Sequence, residues 1–317
     1  MDAKLIFDFI LATENAAIAA HRWYGLGDSN LADQAAVDAM RKALNKINMD
    51  GTVVIGEGER DKAPMLYIGE KVGTSTGKKL DIALDPLECT DLLVKGKNNS
   101  LAVLAVADSG GFLNAPDVYM EKIAIGINTN EQIINLDNSI KQNLSELAKF
   151  KKCNISDLSV TVLDRTRHEE IIAKLRELNI RVKLIQDGDV AGIIATTMQD
   201  ANIDMYVGTG GAPEGVLAAA ALRSLGGQMC GRLIFKDDSE KERAKLMGIK
   251  DINKQYRLND LASGDVVFIA TGVTNSSLLR GIEVNSEGNV SANTIVMDSS
   301  SNTLRKMLTT KKITIEN

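Results

Sequence analysis

Apolar residues recur at three- and four-residue intervals over residues 4–23, with Ile6, Phe9, Ile10, Ala17 and Ala20 in phase. This spacing predicts a helix with one buried face. Glycine, aspartate and asparagine between Gly25 and Asn30 interrupt it, and a second helix is expected over 31–48, burying Ala36, Met40, Ala43, Leu44 and Ile47. The pattern then shortens to strand-length apolar runs at 52–55, 80–84, 100–107 and 122–127. From about residue 139 strands alternate with helices: strands at 158–163, 181–185, 204–207 and 229–235, helices at 168–178, 190–198 and 214–225. Such alternation predicts βαβ units around a parallel or mixed sheet. A charged stretch at 236–245 reads as a surface helix, 266–271 and 294–297 as strands, and the tail from Lys311 as frayed chain or an edge strand. No internal repeat and no Pro- or Ser-rich linker divides the chain. The expectation is an α/β protein of two packed subdomains, 1–150 and 151–317.

Composition narrows the chemistry. Of 317 residues, 44% are hydrophobic and 25% charged, as in soluble globular proteins. The longest apolar runs, such as 101–107, are too short to cross a bilayer, and Asp8 breaks the Leu5-Ile6-Phe7 run that an export signal would extend. A net charge of −5 disfavours nucleic acid as a partner. There are only two histidines, His21 and His168, and three scattered cysteines, Cys89, Cys153 and Cys230. That scarcity excludes zinc sites built from clustered His and Cys and leaves little room for a Ser–His or Cys–His hydrolase. Unpaired, widely spaced cysteines suit a reducing, cytoplasmic compartment. A metal in this chain would be a hard ion held by some of the 42 carboxylates.

Those carboxylates cluster twice. Gly56-Glu-Gly-Glu-Arg-Asp61 follows the strand at 52–55, and Asp85-Pro-Leu-Glu-Cys-Thr90 follows the apolar run that ends at Leu84. Either alone reads as a polar turn or a capped helix start. Two acidic strand ends together are harder to explain so, because like charges brought close need a cation between them. In the second cluster Asp85 is expected to end its strand, Pro86 to fix a turn, and Glu88, Cys89 and Thr90 to open a helix or tight loop. Asp33 stands near the start of the second helix, where its charge also suits the helix dipole. The run 208–215, Gly-Thr-Gly-Gly-Ala-Pro-Glu-Gly, is expected as a loop between strand and helix, with Pro213 at the first helical position. It matches neither common nucleotide-binding fingerprint.

These pieces, in this order, resemble the class II fructose-1,6-bisphosphatase family. The resemblance is carried by the two acidic clusters together with Ala63-Pro-Met-Leu-Tyr-Ile-Gly-Glu-Lys-Val-Gly73, Phe112-Leu-Asn-Ala-Pro-Asp-Val-Tyr-Met-Glu-Lys122, Asp187-Gly-Asp189 and Gly210-Gly-Ala-Pro-Glu-Gly215, and it spans roughly residues 10–300. The Asp85–Thr90 element is also similar to the Asp-Pro-Ile-Asp-Gly-Thr signature of the wider lithium-sensitive, metal-dependent sugar and inositol phosphatases. The resemblance implies a layered αβαβα sandwich and a homodimer or homotetramer. It implies hydrolysis of the 1-phosphate of fructose 1,6-bisphosphate, a step of gluconeogenesis, with Mn²⁺ or Mg²⁺ and metal-activated water. By matching motif, Asp33 and Glu57 would hold one ion, and Asp85, Glu88 and Glu214 another. Glu59 and Asp61 would lie close by, Asp61 orienting water together with Thr90. Glu88, Cys89 and Thr90 would contact the scissile phosphate. Tyr119, Arg165, Thr166, Arg167, Asp187, Gly188, Asp189 and Gly211 would bind the sugar and the distal phosphate. The family has glycine where this chain has Cys89, and often lysine where it has Ser29.

Other readings remain open. A fructose and sedoheptulose bisphosphatase and an inositol-type monophosphatase share the same motifs, and a sugar-phosphate sensor that kept the fold would be non-catalytic. Asp187-Gly-Asp189 after a strand resembles the aspartyl-phosphate phosphatases, but Ala191 stands where that motif needs Thr or Val. Trp23 and the methionines suit core or interface. His168 suits a helix start, and Cys153 and Cys230 suit inert positions.

Overall fold

The structure, a computed structural model, describes residues 1–58 and 65–312. Aspartates start its first two helices: Asp2 accepts the Leu5 N–H at the head of α1 (Ala3–His21), and Asp28 accepts the Leu31 N–H at the head of α2 (Ser29–Leu44). Strands β1 (Met49–Ile55), β2 (Lys71–Val72) and β3 (Lys78–Glu88), the short helix α3 (Thr90–Val94) and strand β4 (Leu101–Asp108) follow. After a long excursion the chain returns as β11 (Val266–Gly272), β12 (Glu283–Val284), β13 (Asn289–Asp298) and β14 (Thr303–Lys312). The excursion holds β5 (Tyr119–Ile125), α4 (Ile140–Lys151), β6 (Ser159–Leu163), α5 (Glu169–Glu177), β7 (Arg181–Ile185), α6 (Asp189–Ile194), β8 (Met205–Gly211), α7 (Ala212–Leu225), β9 (Gln228–Ile234), α8 (Asp238–Leu246), β10 (Tyr256–Arg257) and α9 (Leu258–Leu261).

The chain divides into two compact units, one of Met1–Gly111 with the segment from Gly264 onward, the other of Phe112–Ser263. This corrects the expected division at residue 150, which falls inside α4. The reason lies in strand pairing: β4 takes β11 as its second neighbour, so residues far down the chain complete the first sheet.

The first unit carries an eight-stranded sheet in the order β12-β13-β11-β4-β3-β1-β2, with β14 along the other edge of β13. β1 and β3 are parallel and the remaining pairs antiparallel. Alternate residues of the strands (Leu80, Ile82 and Leu84; Leu104 and Val106; Val267 and Ile269) join Phe9, Ala16, Ala36 and Met40 of α1 and α2 in one core. A buried chain of hydroxyls, Thr13–Thr271–Thr294, crosses from α1 to β11 and β13. Lys311 of β14 meets the buried Glu14 carboxylate of α1 at 2.5 Å, tying the last strand to the first helix.

The second unit carries a six-stranded sheet, β10-β9-β5-β8-β6-β7, in which β6 is parallel to both β7 and β8 and the other pairs are antiparallel. Ile123, Val160, Val162 and Val207 pack with Leu144, Leu147, Ile172 and Leu175 of α4 and α5. The opposite face meets α6 and α7, where Gly192 approaches Tyr206 and Thr161, and Gly215 approaches Met120 and Lys122. Each unit is thus a sheet packed with helices, in keeping with the expected α/β class.

Three local expectations change. Helix α4 was not foreseen, although Ser139 and Gln142 form the reciprocal capping box that announces it. β3 does not end at Asp85 but continues through Pro86 to Glu88. The glycines at 208–211 are not a loop, because β8 runs through all of them and α7 begins at Ala212.

Two residues of these frames hold unusual states. Cys89, buried at the head of α3, has φ +65°, the left-handed region in which a side chain costs about 1–2 kcal/mol. His168 is buried, with Nδ1 2.8 Å from the Leu163 carbonyl and Nε2 accepting the Thr209 N–H at 2.8 Å. It is therefore neutral with its proton on Nδ1, and burial lowers its pKa below the usual value. Cys89→Gly is expected to be more stable than Cys89→Ala by about 1 kcal/mol in urea denaturation, since both lack the thiol and differ in tolerance of positive φ. For His168 the unfolded chain binds the proton first, so stability present above the ordinary pKa of 6.5 falls as pH drops through it toward the lower folded value. The slope is at most about 1.4 kcal/mol per pH unit. Denaturation at pH 7.5 and 5.5 should show a smaller difference in His168→Gln than in the parent.

Candidate active site

In the first unit the end of β1 is built around a close approach. A Cβ on Gly56 would lie 2.1 Å from the Leu66 carbonyl oxygen, so only glycine allows the Glu57 N–H to reach that oxygen at 3.0 Å. Gly58 accepts from Ile68 at 2.9 Å and Val53 from Gly69 at 2.7 Å, so the returning chain runs as a ladder beside the strand end. Glu57 is thereby aimed at α2, where the half-buried Asp33 carboxyl meets it in hydrogen-bonding contact. Burial raises the Asp33 pKa, and the contact with Glu57 acts in the opposite direction. Asp33 thus faces another acid rather than the helix dipole alone. Two carboxyls this close share a proton or a cation.

Asp85 and Glu88 come together by a different device. Asp85 pairs with Val103 and Glu88 with Leu101, so three steps along β3 match two along β4. Residues three apart on a regular strand face opposite sides of the sheet. The extra residue of this bulge turns Glu88 onto the face that Asp85 occupies. Pro86, which has no N–H, sits where the ladder is interrupted. The Leu87 N–H donates to Asp85 Oδ1 at 3.0 Å, and Glu88 is buried. Thr90, the first residue of α3, donates its hydroxyl proton to the Leu87 carbonyl at 2.8 Å, which leaves its oxygen as an acceptor. Cys89 presents its carbonyl to Ser100 and to the N–H groups of Leu92 and Leu93.

The second unit holds the remaining predicted residues. Arg167 donates through Nε to the Thr209 carbonyl at 2.9 Å, and its guanidinium lies 5.1 Å from the centre of the Tyr119 ring. Lys236 Nζ lies 5.3 Å from the same ring, so two cations flank one aromatic face or edge. Lys236 was read from sequence only as part of a solvated helix. Arg165 is 3.5 Å from the Asp187 carboxylate. Gly188, with φ +89°, turns the chain into α6.

For Asp189 the resemblance implies contact with sugar. Asp189 is buried against Lys122, a fully buried lysine that also donates to the Gly211 carbonyl at 2.8 Å. Sequence reasoning missed Lys122, although a lysine in phase with Met120 and Ala124 on a strand signals a buried charge with a buried partner. The glycines of β8 make room: a Cβ on Gly210 would lie 2.2 Å from Asp189 Oδ2, and one on Gly211 2.0 Å from Glu214 Oε2. Glu214 Oε2 is sealed from solvent with no hydrogen-bond partner. Burial first, and then the charge of Asp189, push its pKa up to about 7, while Lys122 opposes them.

Glu59 and Asp61 lie outside the described residues. Among the described residues no three Asp, Glu, His or Cys side chains converge as a ready cage for a metal ion. Within the first unit the donors suit a hard cation, with Asp33 and Glu57 in carboxyl–carboxyl contact and Asp85 and Glu88 on one strand face; in the second unit Glu214 has a buried oxygen without a hydrogen-bond donor. Cys230 is buried with its thiol pKa raised by that burial, as its inert reading requires.

Residues 3–311 match the family described as bacterial fructose-1,6-bisphosphatase, glpX-encoded. Fructose-1,6-bisphosphatase 1 class 2 of Escherichia coli (strain K12) is 46% identical, over 97% of this chain and 95% of its own length. The class 2 fructose-1,6-bisphosphatase of Haemophilus influenzae is 45% identical over 97% of this chain and 96% of its own. A protein of Synechococcus sp. (strain JA-3-3Ab), named D-fructose 1,6-bisphosphatase class 2/sedoheptulose 1,7-bisphosphatase, is 43% identical over 96% and 94%. The solved extragenic suppressor protein suhB of Bartonella henselae aligns with 62% of this chain and 75% of its own at a TM-score of 0.33 and 11% identity, too distant to inform function. With a match that runs through both units and every motif described above, the chain belongs to the class 2 fructose-1,6-bisphosphatase family.

Proposed function

We propose that this protein hydrolyses fructose 1,6-bisphosphate to fructose 6-phosphate and phosphate, cleaving the ester at carbon 1. The geometric observation that carries this reading, beside the family match, is the bulge of β3, which presents Asp85 and Glu88 on one face next to the Thr90 hydroxyl. Unaided phosphate-monoester hydrolysis is so slow that enzymes of this class accelerate it by up to about 10²¹-fold, far beyond the roughly 10²–10⁴ of one acid or base. Asp33, Glu57, Asp85, Glu88 and Glu214 would hold divalent cations, Mn²⁺ or Mg²⁺, which when bound would supply the positive charge needed to activate water and to stabilise the phosphoryl oxygens and leaving alkoxide.

The chain's own groups divide the remaining work. Thr90 donates its hydroxyl hydrogen bond to the Leu87 carbonyl, so its oxygen would accept a hydrogen bond from the attacking water and orient it. Asp61 is the proposed second acceptor on that water, and Glu59 its neighbour. Backbone N–H groups of Glu88, Cys89 and Thr90 receive the scissile phosphate. Tyr119 and the 165–167 segment receive the sugar and the distal phosphate, where the arginine fork meets phosphate oxygens two at a time. Lys236 joins Arg167 beside the Tyr119 ring and adds a further positive charge there. Asp187, Gly188 and the Gly211 region shape the sugar pocket, with Asp189 and Lys122 as its buried support. Cys89, Cys153 and Cys230 form no disulfide among the described residues, which favours the cytoplasm as the compartment, and a homodimer or homotetramer follows the family expectation. The Synechococcus relative's name supports sedoheptulose 1,7-bisphosphate as a second substrate.

A panel of sugar mono- and bisphosphates, assayed for phosphate release in Mn²⁺ and in Mg²⁺, tests the reading. Fructose 1,6-bisphosphate should be preferred over every monophosphate, and preference for inositol phosphate would defeat the assignment. Asp85→Asn should lower turnover at least about 100-fold with unchanged circular dichroism. Lys236→Ala should raise KM for the bisphosphate about tenfold with kcat nearly unchanged, the loss of one charge-assisted contact of about 1.5 kcal/mol.

A further inference from the structure

Arg41 lies outside every motif considered so far, and Glu70 stands in the 63–73 block with no role yet given to it, but both act on the same acidic strand end. Glu70 is buried, and both of its carboxylate oxygens are engaged: Oε1 accepts from Arg41 Nε at 2.5 Å, and Oε2 accepts the Leu66 N–H at 2.5 Å. Leu66 is fully buried with φ +53°, a left-handed state that a leucine does not adopt unless it is held there. Held so, Leu66 offers its carbonyl to the Glu57 N–H at 3.0 Å. Glu70 also accepts the Val53 N–H at its own carbonyl, 2.9 Å away, so one residue grips β1 with its backbone and Leu66 with its side chain. Arg41 lies on α2, two turns beyond Asp33.

We infer that Arg41 and Glu70 are positioning residues for Glu57, acting through Leu66, so that α2 fixes this acid both at its carboxyl, by Asp33, and at its backbone. The inference rests on the proposed role of Glu57 as a cation ligand. Its chemistry is specific to a carboxylate. Glutamine has the same shape, but its amide can accept at one end only, and its NH₂ would face either the Arg41 N–H or the Leu66 N–H, donor against donor. An acid that must meet another acid and still present its oxygens to a cation needs its backbone held as well, because the partners behind a ligand set how it is aimed.

The test compares Glu70→Gln and Arg41→Lys with the parent chain. Without metal, hydrogen exchange at the Leu66 and Glu57 amides should quicken at least tenfold in Glu70→Gln, with β4 and β11 amides unchanged. Calorimetric titration with Mn²⁺ alone should show affinity weakened about tenfold, and the Mn²⁺ needed for half-maximal phosphate release should rise by a similar factor while KM for the bisphosphate holds. Arg41→Lys, which keeps a cation beside Glu70, should fall between parent and Glu70→Gln, and it carries the test if Glu70→Gln does not fold. Unchanged exchange and Mn²⁺ affinity would overturn the inference, as would exchange that quickens equally throughout β4 and β11. A parent chain that binds Mn²⁺ but releases no phosphate from any bisphosphate defeats the proposed activity instead, and the exchange and calorimetry still decide the role of Glu70.

Discussion

Two carboxylates 4 Å apart repel by about 4 kcal/mol in surroundings as polarisable as the outer layers of a protein, and this chain brings acids together repeatedly. How it restrains each one accounts for much of the local architecture. Asp85 is held by the N–H of Leu87, two residues along. Glu70 divides its oxygens between Arg41 and Leu66. Asp189 is matched by a lysine with no exposure to solvent. Glu214 ends with a buried oxygen that has no donor, and its raised pKa records that deficit. The acids that support the frame are satisfied from within the chain, whereas one oxygen of Glu214 is buried without a hydrogen-bond donor.

Much of the frame was legible in the pattern of apolar residues, because the elements that bury one face obey simple periods. The first two helices, the longer buried strands and the βαβ run through β6, β7 and β8 fall where that pattern puts them, whereas the two-residue strands β2, β10 and β12 and most of the exposed β14 do not show in it. What escaped did so for identifiable reasons. The domain boundary was missed because a strand pair, β4 with β11, joins residues some 165 positions apart, and no local signal marks such a pair. Helix α4 has a polar face and few core residues, and only its capping box announced it.

For the candidate site, residue identity was easier to read than geometry. The acids of 57, 85 and 88 were visible as clusters, but the means of aiming them was not. The bulge depends on pairing with β4, and the glycines of β8 read as a flexible loop when their function is to let a strand pass close to Asp189 and Glu214. Lys122 was hidden by a general expectation that charge marks surface, and Lys236 by the polar helix that follows it. Neither tool of sequence reading, periodicity or motif, reports what lies across a sheet.

The second unit is one uninterrupted stretch, Phe112–Ser263, set between two strands that must pair with each other. Its order of emergence from the ribosome follows from that arrangement. When β4 leaves the ribosome it has β3 beside it but no β11, and the first sheet waits with an open edge while more than 150 further residues are made. The inserted unit, whose core draws only on its own residues, can complete itself during that wait. The segment from Gly264 onward then closes the first-made half, and its Lys311 settles onto Glu14 of α1. Birth order and assembly order are thus reversed, so chains cut short after residue 263 keep a finished middle and an unfinished beginning.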